Sequence, residues 1–308
     1  MKIAFFSETG TNQKYPRDFS NSRTEVAWCL ALDAPMCSLT KLPDEKFDLG
    51  IVIVPKTQPE IDLEEIRNVC DKVAVMQEGP HWYFQDYTID KQFHYYNLLM
   101  DADWVYCHNK SDVSYYKGLG CKDVRVMQSL MIPEGLESKK GLGGLNVTLI
   151  GGNFVSWYGG FDSYMIARRI GYPIAAPSMG RKQELENAID DIHYLPYMSW
   201  RDWIFNLKQY RIGIHLMRTH AAGTFAMNCG FHGIPCIGYK GLDTQQIIHP
   251  KTTVEVGDLN KAKEISLKLK NDDNFYYECS EEVLRRFEEH YTEDAWKNNW
   301  NAINKIVF

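Results

Sequence analysis

The loop before a short helix near residue 220 carries the side chains best suited to bind an anion. Arg211–Leu216 is apolar and β-branched like a buried strand, Arg218 and His220 follow in a polar loop, and small residues open a helix at Gly223 and Thr224. A loop between a strand and a helix presents backbone N–H groups and the positive end of the helix dipole. This loop therefore predicts an anion site, for which a diphosphate is a suitable ligand.

Two further loops of the second half end predicted strands. GGNFVSWYGG contains Gly152 and Asn153, and APSMGRK contains Arg181 and Lys182. In a parallel sheet the loops at the carboxyl ends of the strands converge on one edge, so glycines and cations from all three loops are expected to meet there. An ordinary glycine turn and solvated surface charges remain the alternatives.

The loops of the first half carry carboxylates that could act as a general base. Glu78 directly follows the predicted strand Lys72–Met76, and Asp86, Glu8 and Asp18 are the other candidates. A loop carboxylate can take a proton from a hydroxyl or simply accept hydrogen bonds from backbone N–H groups, and the sequence leaves both roles open.

The same region is rich in aromatic residues. Trp82, Tyr83, Phe84 and Tyr87 stand within a few positions of one another, which is dense for a loop. Such rings can stack on a base or a sugar, but packing of two or more of them in the interior explains the pattern equally well.

No spacing in the sequence predicts a metal site. Asp190-Asp191 and Asp272-Asp273 do not form a DxD after a strand, and we expect the second pair in a surface turn; His215 and His220 do not form HExxH. The eight cysteines include no CxxC, so we interpret them as small buried side chains in a reducing compartment.

Composition excludes several classes of protein. The 308 residues are 44% hydrophobic and 24% charged, with a formal net charge of -6, which is typical of a soluble globular protein. The charge argues against broad nucleic-acid binding by counterion release, although a local basic groove stays open. Neither a signal peptide nor an apolar stretch of membrane-spanning length is visible, so we expect a cytoplasmic protein without a membrane partner.

The elements that position these residues alternate between strand and helix. The run FDLGIVIV, Phe47–Val54, is typical of a strand buried on both faces of a parallel sheet, and Pro59–Cys70 has helical spacing. The segment Pro133–Asn146 is rich in Gly, Lys and Pro and indicates a linker. We therefore predict an α/β protein with an N-terminal Rossmann-like domain over 1–135, a second over 146–290, and a terminal helix within 291–308 that packs back on the first.

The stretch from Arg211 to Gly241 resembles the donor-binding half of GT-B glycosyltransferases. The match rests on a strand, a polar loop, a helix, Gly233-Ile234-Pro235 and a further strand, with Val254–Asp258 matching a later "Gly-Asp" turn. The family has an acid at the position of His220, which contacts the sugar, and another at Asn228, which contacts the ribose. The resemblance implies two Rossmann-like domains facing a cleft, with His220 and Asn228 in those roles.

Other segments support the same resemblance. Trp104–Met131, with its "His-Asn-Lys-Ser-Asp", is similar to the GT-B segment before the interdomain linker, while MQEGPHWYFQDY and GGNFVSWYGGFDSY look similar to sugar transferases of tailed phages. Some of those enzymes decorate hydroxymethylated bases in phage DNA. The resemblance thus implies transfer of a hexose or pentose from a UDP-sugar co-substrate to a hydroxyl, suspected to be that of 5-hydroxymethylcytosine in double-stranded DNA, without a bound metal or permanent cofactor.

Two other functions stay open at this stage: transfer to a glycan, a lipid-linked sugar or a small molecule, and nucleotide-sugar binding without chemistry. Whether the transfer inverts or retains the anomeric configuration is also open.

On the interpretation as a glycosyltransferase, the catalytic candidates are Glu78 and Asp86. The donor-binding residues are Gly152, Asn153, Arg181, Arg218, His220, Gly223, Thr224 and Asn228. The acceptor-binding residues are Glu8, Arg17, His81, Trp82 and Tyr83.

Overall fold

The computed structural model contains two compact units. It describes residues 1–55, 61–77, 79–138, 144–152, 154–155, 157–177, 186 and 188–304. The first unit comprises Met1–Ile132, His220–Ala222 and Trp296–Phe308, and the second comprises Pro133–Thr219 and Gly223–Ala295. The three residues His220–Ala222 thus cluster with the first unit, although the chain on either side of them belongs to the second.

Strands and helices alternate along most of the described chain. The strands are β1 (Ile3–Ser7), β2 (Met36–Ser38), β3 (Phe47–Val54), β4 (Cys70–Gln77), β5 (Trp104–Cys107), β6 (Val124–Val126), β7 (Leu145–Ile150), β8 (Ile174–Pro177), β9 (Ile192–Leu195), β10 (Tyr210–His215), β11 (Cys236–Tyr239) and β12 (Thr253–Val254). The helices are α1 (Thr24–Ala31), α2 (Leu63–Arg67), α3 (Ile89–Asp101), α4 (Val113–Leu119), α5 (Gly160–Ile170), α6 (Trp200–Leu207), α7 (Thr224–Phe231), α8 (Asp243–Ile248), α9 (Leu259–Asn271), α10 (Asp273–His290) and α11 (Glu293–Asn304).

The first unit is built on a six-stranded sheet in the order β2-β1-β3-β4-β5-β6. All of its strand pairs are parallel. Successive residues of β1 enter two different hydrophobic clusters: Ile3 and Phe5 pack with α1 and α11, whereas Ala4 and Phe6 pack with α2, α3 and α4. Burial on both faces explains why strands such as β3 are continuously apolar.

The second unit repeats this architecture with the order β12-β11-β10-β7-β8-β9, again with parallel pairs. Ile212 and Ile214 of β10 pack toward α5, α9 and α10. Gly213 between them faces α7 on the opposite side, because a Cβ there would lie 3.0 Å from Cys229 Sγ. The predicted α/β class with two Rossmann-like parts is confirmed.

Two segments differ from the sequence-based expectation. Cys70 begins β4 and does not end a helix; the described part of that predicted helix is α2. The pair at 272–273 does not lie in a loose surface turn, because the Asp272 carboxylate accepts a hydrogen bond from Phe275 N and caps α10. A capping carboxylate satisfies an N–H group of the first helical turn, so it extends α10 well upstream of the predicted start at Ser280.

The last helix, α11, is anchored to the first unit by its indole rings. Trp296 and Trp300 are buried in the cluster beneath the sheet and stack at 5.5 Å. Trp296 Nε1 donates to Gln128 O at 2.8 Å, and Trp28 Nε1 donates to the same carbonyl at 2.9 Å. The end of the described chain is therefore part of this unit's core.

All eight cysteines are buried and free, which confirms their interpretation as small core side chains. Among the described residues, no helix combines the length and the apolar character needed to cross a lipid bilayer.

Trp296→Ala should lower the free energy of unfolding by about 3–5 kcal/mol, because it leaves a cavity in the core and removes one donor from the Gln128 carbonyl. Urea unfolding followed by circular dichroism measures the change. Phe205→Ala on α6 is the control, since that ring is 55% exposed and its loss should cost less than about 1 kcal/mol. Equal losses in the two variants would contradict the anchoring role of Trp296.

Candidate functional site

The strand order of the second sheet reverses at β7. The chain proceeds from β7 to β8 and β9 on one side, and then crosses to β10, β11 and β12 on the other. In open parallel sheets, ligands bind outside the carboxyl ends of the strands at such a reversal, because the adjacent crossovers run to opposite faces and leave a crevice. The loops after β7 and β10 border this position.

The turn after β7 lies directly on the end of β10. Gly151 N donates to Ile214 O at 2.8 Å, which fixes the turn on its neighbour. Gly152 has φ +79°, and a Cβ there would lie 2.9 Å from Tyr158 O and 3.2 Å from His215 Nε2. Only glycine fits this backbone conformation without strain, and it lets the backbone approach a neighbouring group closely.

His215, the last residue of β10, is buried, and no described residue forms a hydrogen bond with its ring. Its ring is 7% exposed and packs edge-on against Phe225 at 5.2 Å. Within the described chain neither ring nitrogen has a partner. Burial lowers the pKa of His215 to about 4, so the imidazole is neutral at physiological pH.

A buried histidine with a structural role looks different in the same unit. His249 accepts a hydrogen bond from Cys236 N at 3.3 Å through Nδ1, and its Nε2 donates to Ala226 O at 2.9 Å. Both ring nitrogens of His249 are thus satisfied. An unpartnered buried polar group costs free energy, so His215 calls for an explanation other than packing.

Helix α7 begins beside this histidine and has no side-chain cap. Its N-cap residue Gly223 has φ +64°, and a Cβ at that position would lie 2.0 Å from Thr244 Oγ1. Thr244 Oγ1 in turn donates to Gly223 O at 3.0 Å. The N–H groups of the first turn, from Thr224 onward, have no intrahelical partners, and together with the helix dipole they favour an anion.

Arg218 and the first turn of α5 form a small charged network. Arg218 Nη2 and Tyr239 OH each donate to Asp162 Oδ2 at 3.0 Å. Burial and the bond to Asp162 raise the pKa of Tyr239 to about 12, so it stays a donor at neutral pH. The Arg218 side chain is 58% exposed, which leaves its remaining N–H groups accessible to a ligand.

Asn228 occupies a different environment from the one the resemblance implies. Its side chain is 3% exposed. With the amide oriented to satisfy both ends, Nδ2 donates to Thr224 O at 3.1 Å and Oδ1 accepts from Trp203 Nε1 at 3.1 Å. The carboxamide is therefore engaged inside the helix packing, and its contact with a ribose remains a sequence-based prediction.

Three predicted site residues, Glu78, Asn153 and Arg181, lie outside the described residues, as does Lys182. Their roles remain sequence-based predictions.

In the first unit, the predicted acceptor-binding residues occupy two loops. Glu8 and Arg17 are exposed after β1, where the strand order of this sheet also reverses, between β1 and β3. Trp82 and Tyr83 stack at 5.8 Å with 23° between their planes, at the start of the 3-10 helix Tyr83–Asp86. Asp86 is exposed at the end of that helix.

The two other aromatic residues of this loop have structural partners. Phe84 stacks on the buried ring of Tyr95 at 4.9 Å, and Tyr87 OH donates to Pro55 O at 3.1 Å. Phe84 and Tyr87 thus attach the loop to the rest of the unit, whereas Trp82 and Tyr83 stack on each other.

His81 and His220 meet at the carboxylate of Asp112. Asp112 Oδ1 lies 3.0 Å from His220 Nδ1 and 3.4 Å from His81 Nδ1. Burial of Asp112 acts to raise its carboxyl pKa, but the polar groups of His220, His81 and Asn109 around the carboxylate outweigh this and hold the pKa well below its usual range. The carboxylate is therefore ionised at any physiological pH. Within the described residues, this is the group of side chains that could hold a metal ion.

Sequence reasoning missed two residues of these sites. His215 was considered only as part of a metal motif, and its apolar strand context gave no signal that its ring lacks partners. Asp112 belongs to the segment "His-Asn-Lys-Ser-Asp" that supported the family resemblance, but it was not singled out. His220 was placed with the donor loop, whereas the structure brings it together with His81.

Comparison with known proteins supports the fold assignment. No protein-family model matches the sequence, and no curated protein matches it either. Solved structures do match. Anabaena HepE in complex with UDP aligns with a TM-score of 0.70 at 9% identity over 100% of both chains.

Two further structures show the same likeness. A variant of S. aureus TarM in complex with fondaparinux, α-GlcNAc-glycerol and UDP gives a TM-score of 0.63 at 10% identity, covering 82% of this chain and 55% of that one. The present chain therefore spans about half the length of TarM. An α-glucosyltransferase in complex with UDP and a 13-mer DNA containing an HMU base gives 0.61 at 13% identity, over 98% and 99% of the chains. The fold is that of GT-B glycosyltransferases.

His215→Leu should not destabilise the protein at pH 7, because the ring makes no hydrogen bond there. At pH 5 the variant should be more stable than the wild type by about 2 kcal/mol, since a histidine with an unfolded pKa near 6.5 and a folded pKa of about 4 takes up a proton on unfolding in this range. The stability lost by the wild type as the pH falls from 6.5 to 4 should thus be smaller in the variant.

Urea unfolding at pH 7 and pH 5 measures both values. His193→Leu, at an exposed position of β9, controls for the chemical change. A loss of several kcal/mol at pH 7 on His215→Leu would show that the ring is a packing residue.

Proposed function

We propose that this protein is a glycosyltransferase that uses a UDP-sugar as donor. The observation that carries the proposal is the carboxyl edge of the second sheet at β7 and β10. There a helix N-terminus without a side-chain cap, a glycine turn and a buried histidine adjoin the reversal of strand order, and this histidine has no hydrogen-bond partner among the described residues. The fold is shared with structures solved in complex with UDP, which favours a nucleoside diphosphate as the anion.

The donor diphosphate is proposed to lie between the first turn of α7 and the Gly152 turn. Backbone N–H groups at Thr224 and beyond stabilise the negative charge that develops on UDP as the sugar leaves. Arg218 supplies a cationic side chain at the same edge. A Cβ at Gly152 would lie 3.2 Å from His215 Nε2, so the imidazole is close to the turn. It is proposed to donate a hydrogen bond to a ligand that binds there.

Asn153 and Arg181 extend the proposed donor site on the strength of the sequence. Each follows a strand that ends at the same edge of the sheet, after β7 and after β8. Transfer of either a hexose or a pentose is compatible with these groups, because they address the diphosphate and not the sugar.

The acceptor is proposed to bind at the first unit. Glu78, directly after β4, is the candidate base that takes the proton from the acceptor hydroxyl, with Asp86 as its rival. The stacked pair Trp82–Tyr83 offers flat apolar surface for a base or sugar ring. Glu8 and Arg17 add polar groups at the strand reversal of that sheet.

For the acceptor itself we propose the hydroxymethyl group of 5-hydroxymethylcytosine in double-stranded DNA. Two observations support this choice. The sequences around Glu78 and Gly152 resemble phage sugar transferases, and one structure with the same fold holds DNA with an HMU base. A glycan or small-molecule acceptor, and donor binding without transfer, are the outcomes that the assays below separate from it.

UDP binding measured by isothermal titration calorimetry should depend on the proposed anion groups. Arg218→Ala and His215→Leu should each weaken binding about 10-fold, equivalent to about 1.4 kcal/mol. Arg169→Ala removes an exposed cation from the other end of α5 and should leave the affinity unchanged. If both site variants bind UDP as the wild type does, the proposed diphosphate site is in the wrong place.

Transfer can be tested by incubating the protein with UDP-sugars and hydroxymethylcytosine DNA, followed by mass spectrometry of the nucleosides. We expect one nucleoside to gain the mass of a sugar. Glu78→Gln should reduce turnover about 10²- to 10⁴-fold with unchanged UDP affinity, whereas Asp86→Asn should change it little.

The opposite ranking of the two variants would identify Asp86 as the base. No mass gain with any UDP-sugar would refute the DNA acceptor. UDP release with a different hydroxyl acceptor would then indicate a glycan or small-molecule transferase, and UDP binding without any release would indicate a binding protein.

A further inference from the structure

Three side chains of the first unit converge on one point from separate loops. His81 follows β4, Asp112 precedes α4, and His220 belongs to the short segment His220–Ala222. One ligand atom from each of the three residues lies within 4.8 Å of the other two. Nδ1 of His220 and Nδ1 of His81 lie 3.0 Å and 3.4 Å from Asp112 Oδ1. Two imidazoles and one carboxylate form a donor set typical of transition-metal sites with open positions.

The two distances from Asp112 Oδ1 are compatible with a metal ion shared by the three side chains. The 3.0 Å and 3.4 Å separations from Asp112 Oδ1 match the edges of octahedral and tetrahedral sites, which are about 3.0 and 3.4 Å for bonds of about 2.1 Å. His220 Nδ1 makes a hydrogen bond to the carboxylate. His81 Nδ1, although 3.4 Å from the same oxygen, is buried and makes no hydrogen bond to any residue that the structure describes.

This orphaned nitrogen distinguishes the two interpretations of the cluster. If Asp112 only anchored two imidazoles, each Nδ1 would carry a hydrogen aimed at a carboxylate oxygen. If His81 Nδ1 instead coordinates a metal ion through its lone pair, it carries no hydrogen that must point at the carboxylate. The metal ion then serves as the partner of this buried nitrogen.

The surrounding residues hold the three ligands in place. Asn109 Nδ2 donates to Asp112 Oδ2 at 3.1 Å, which fixes the carboxylate and leaves Oδ1 toward the histidines. The ring of Tyr115 packs against His81, with the ring centroids 4.1 Å apart and the planes tilted by 39°. Supporting contacts of this kind orient metal ligands and tune their affinity.

The His220 segment is anchored by its backbone. Asn109 Nδ2 also donates to Ala221 O at 3.1 Å, and Ser129 Oγ donates to Ala222 O at 2.5 Å. Ser111 Oγ lies 3.2 Å from His220 Nδ1 and adds a neutral oxygen beside the same nitrogen. The third ligand is therefore positioned by contacts independent of the carboxylate it faces.

We propose that His81 Nδ1, Asp112 Oδ1 and His220 Nδ1 bind one divalent transition-metal ion. Imidazole ligands favour Zn²⁺, Co²⁺ or Ni²⁺ over Mg²⁺ and Ca²⁺, which prefer all-oxygen sites. The histidine side chains are 21% and 28% exposed, so the ion keeps positions open toward solvent for an oxygen ligand. The proposal departs from the metal-free chemistry that the sequence implied, and it stands independently of the glycosyltransferase assignment.

The test uses untagged full-length protein that has been treated with a chelator and dialysed. Co²⁺ is the probe, followed by calorimetry and by its visible d–d absorption. We expect one Co²⁺ per chain in the wild type. His81→Ala and His220→Ala should each weaken binding at least 100-fold and abolish the absorption band, while His193→Ala, at an exposed position in the second unit, should bind as the wild type does.

Circular dichroism and thermal melting of each variant show whether it is folded, and Asp112→Asn is added as a near-isosteric change that removes the anionic ligand. Absence of stoichiometric Co²⁺ binding by the wild type would overturn the proposal. So would unchanged affinity in folded His81→Ala and His220→Ala, because the ion would then bind elsewhere. Neither result affects the UDP-binding and transfer assays, so failure of the metal site and failure of the proposed function are distinguishable.

Discussion

The reversal of strand order at β7 is the constraint on which the proposed donor site depends. Because the chain leaves β7 in one direction and returns to β10 on its other side, the loops after these two strands diverge to opposite faces of the sheet. Parallel pairing then places the Gly152 turn, His215 and the start of α7 at the same edge. The strand order of the backbone is enough to bring these three groups to one edge of the sheet, whatever contacts their side chains make.

The state of His215 is a consequence of this arrangement. Its backbone ends β10 next to the Gly152 turn, where the ring is buried and no residue in the described part of the chain bonds to its nitrogens. An unsatisfied buried polar group of this kind costs about 1–3 kcal/mol. His249, which packs in the same unit and satisfies both of its nitrogens, shows that this unit can accommodate a buried imidazole without such a cost. We propose a role in ligand binding as the reason for the difference.

The sequence predicts the architecture well where burial imposes a simple pattern. Strand β3 matches its predicted bounds, because a strand covered on both faces is apolar at every position. The short edge strand β2 could not be predicted from the sequence, because three residues are too few to show a periodic pattern. The start of α10 is hard to predict because Asp272 caps the helix, whereas an Asp-Asp pair is equally typical of a surface turn.

The sites are less predictable because they depend on contacts between distant residues. The glycine turn and the loop before α7 could be found from local pattern alone. That Asn228 is engaged by Trp203, or that His220 faces Asp112 and His81, follows only from the tertiary structure. A motif shows which residue types stand at a position, whereas their partners decide whether they are available to a ligand.

The most direct test of the donor site is NMR of the protein with ¹⁵N-labelled histidine rings, titrated with UDP. We expect His215 to begin as a neutral imidazole without a hydrogen-bonding partner in the described structure. Its ring nitrogen signals should shift on saturation with UDP, while those of His249 should stay unchanged. Saturable UDP binding that leaves the His215 signals unaltered would contradict the account, because the nucleotide would then bind away from the reversal at β7.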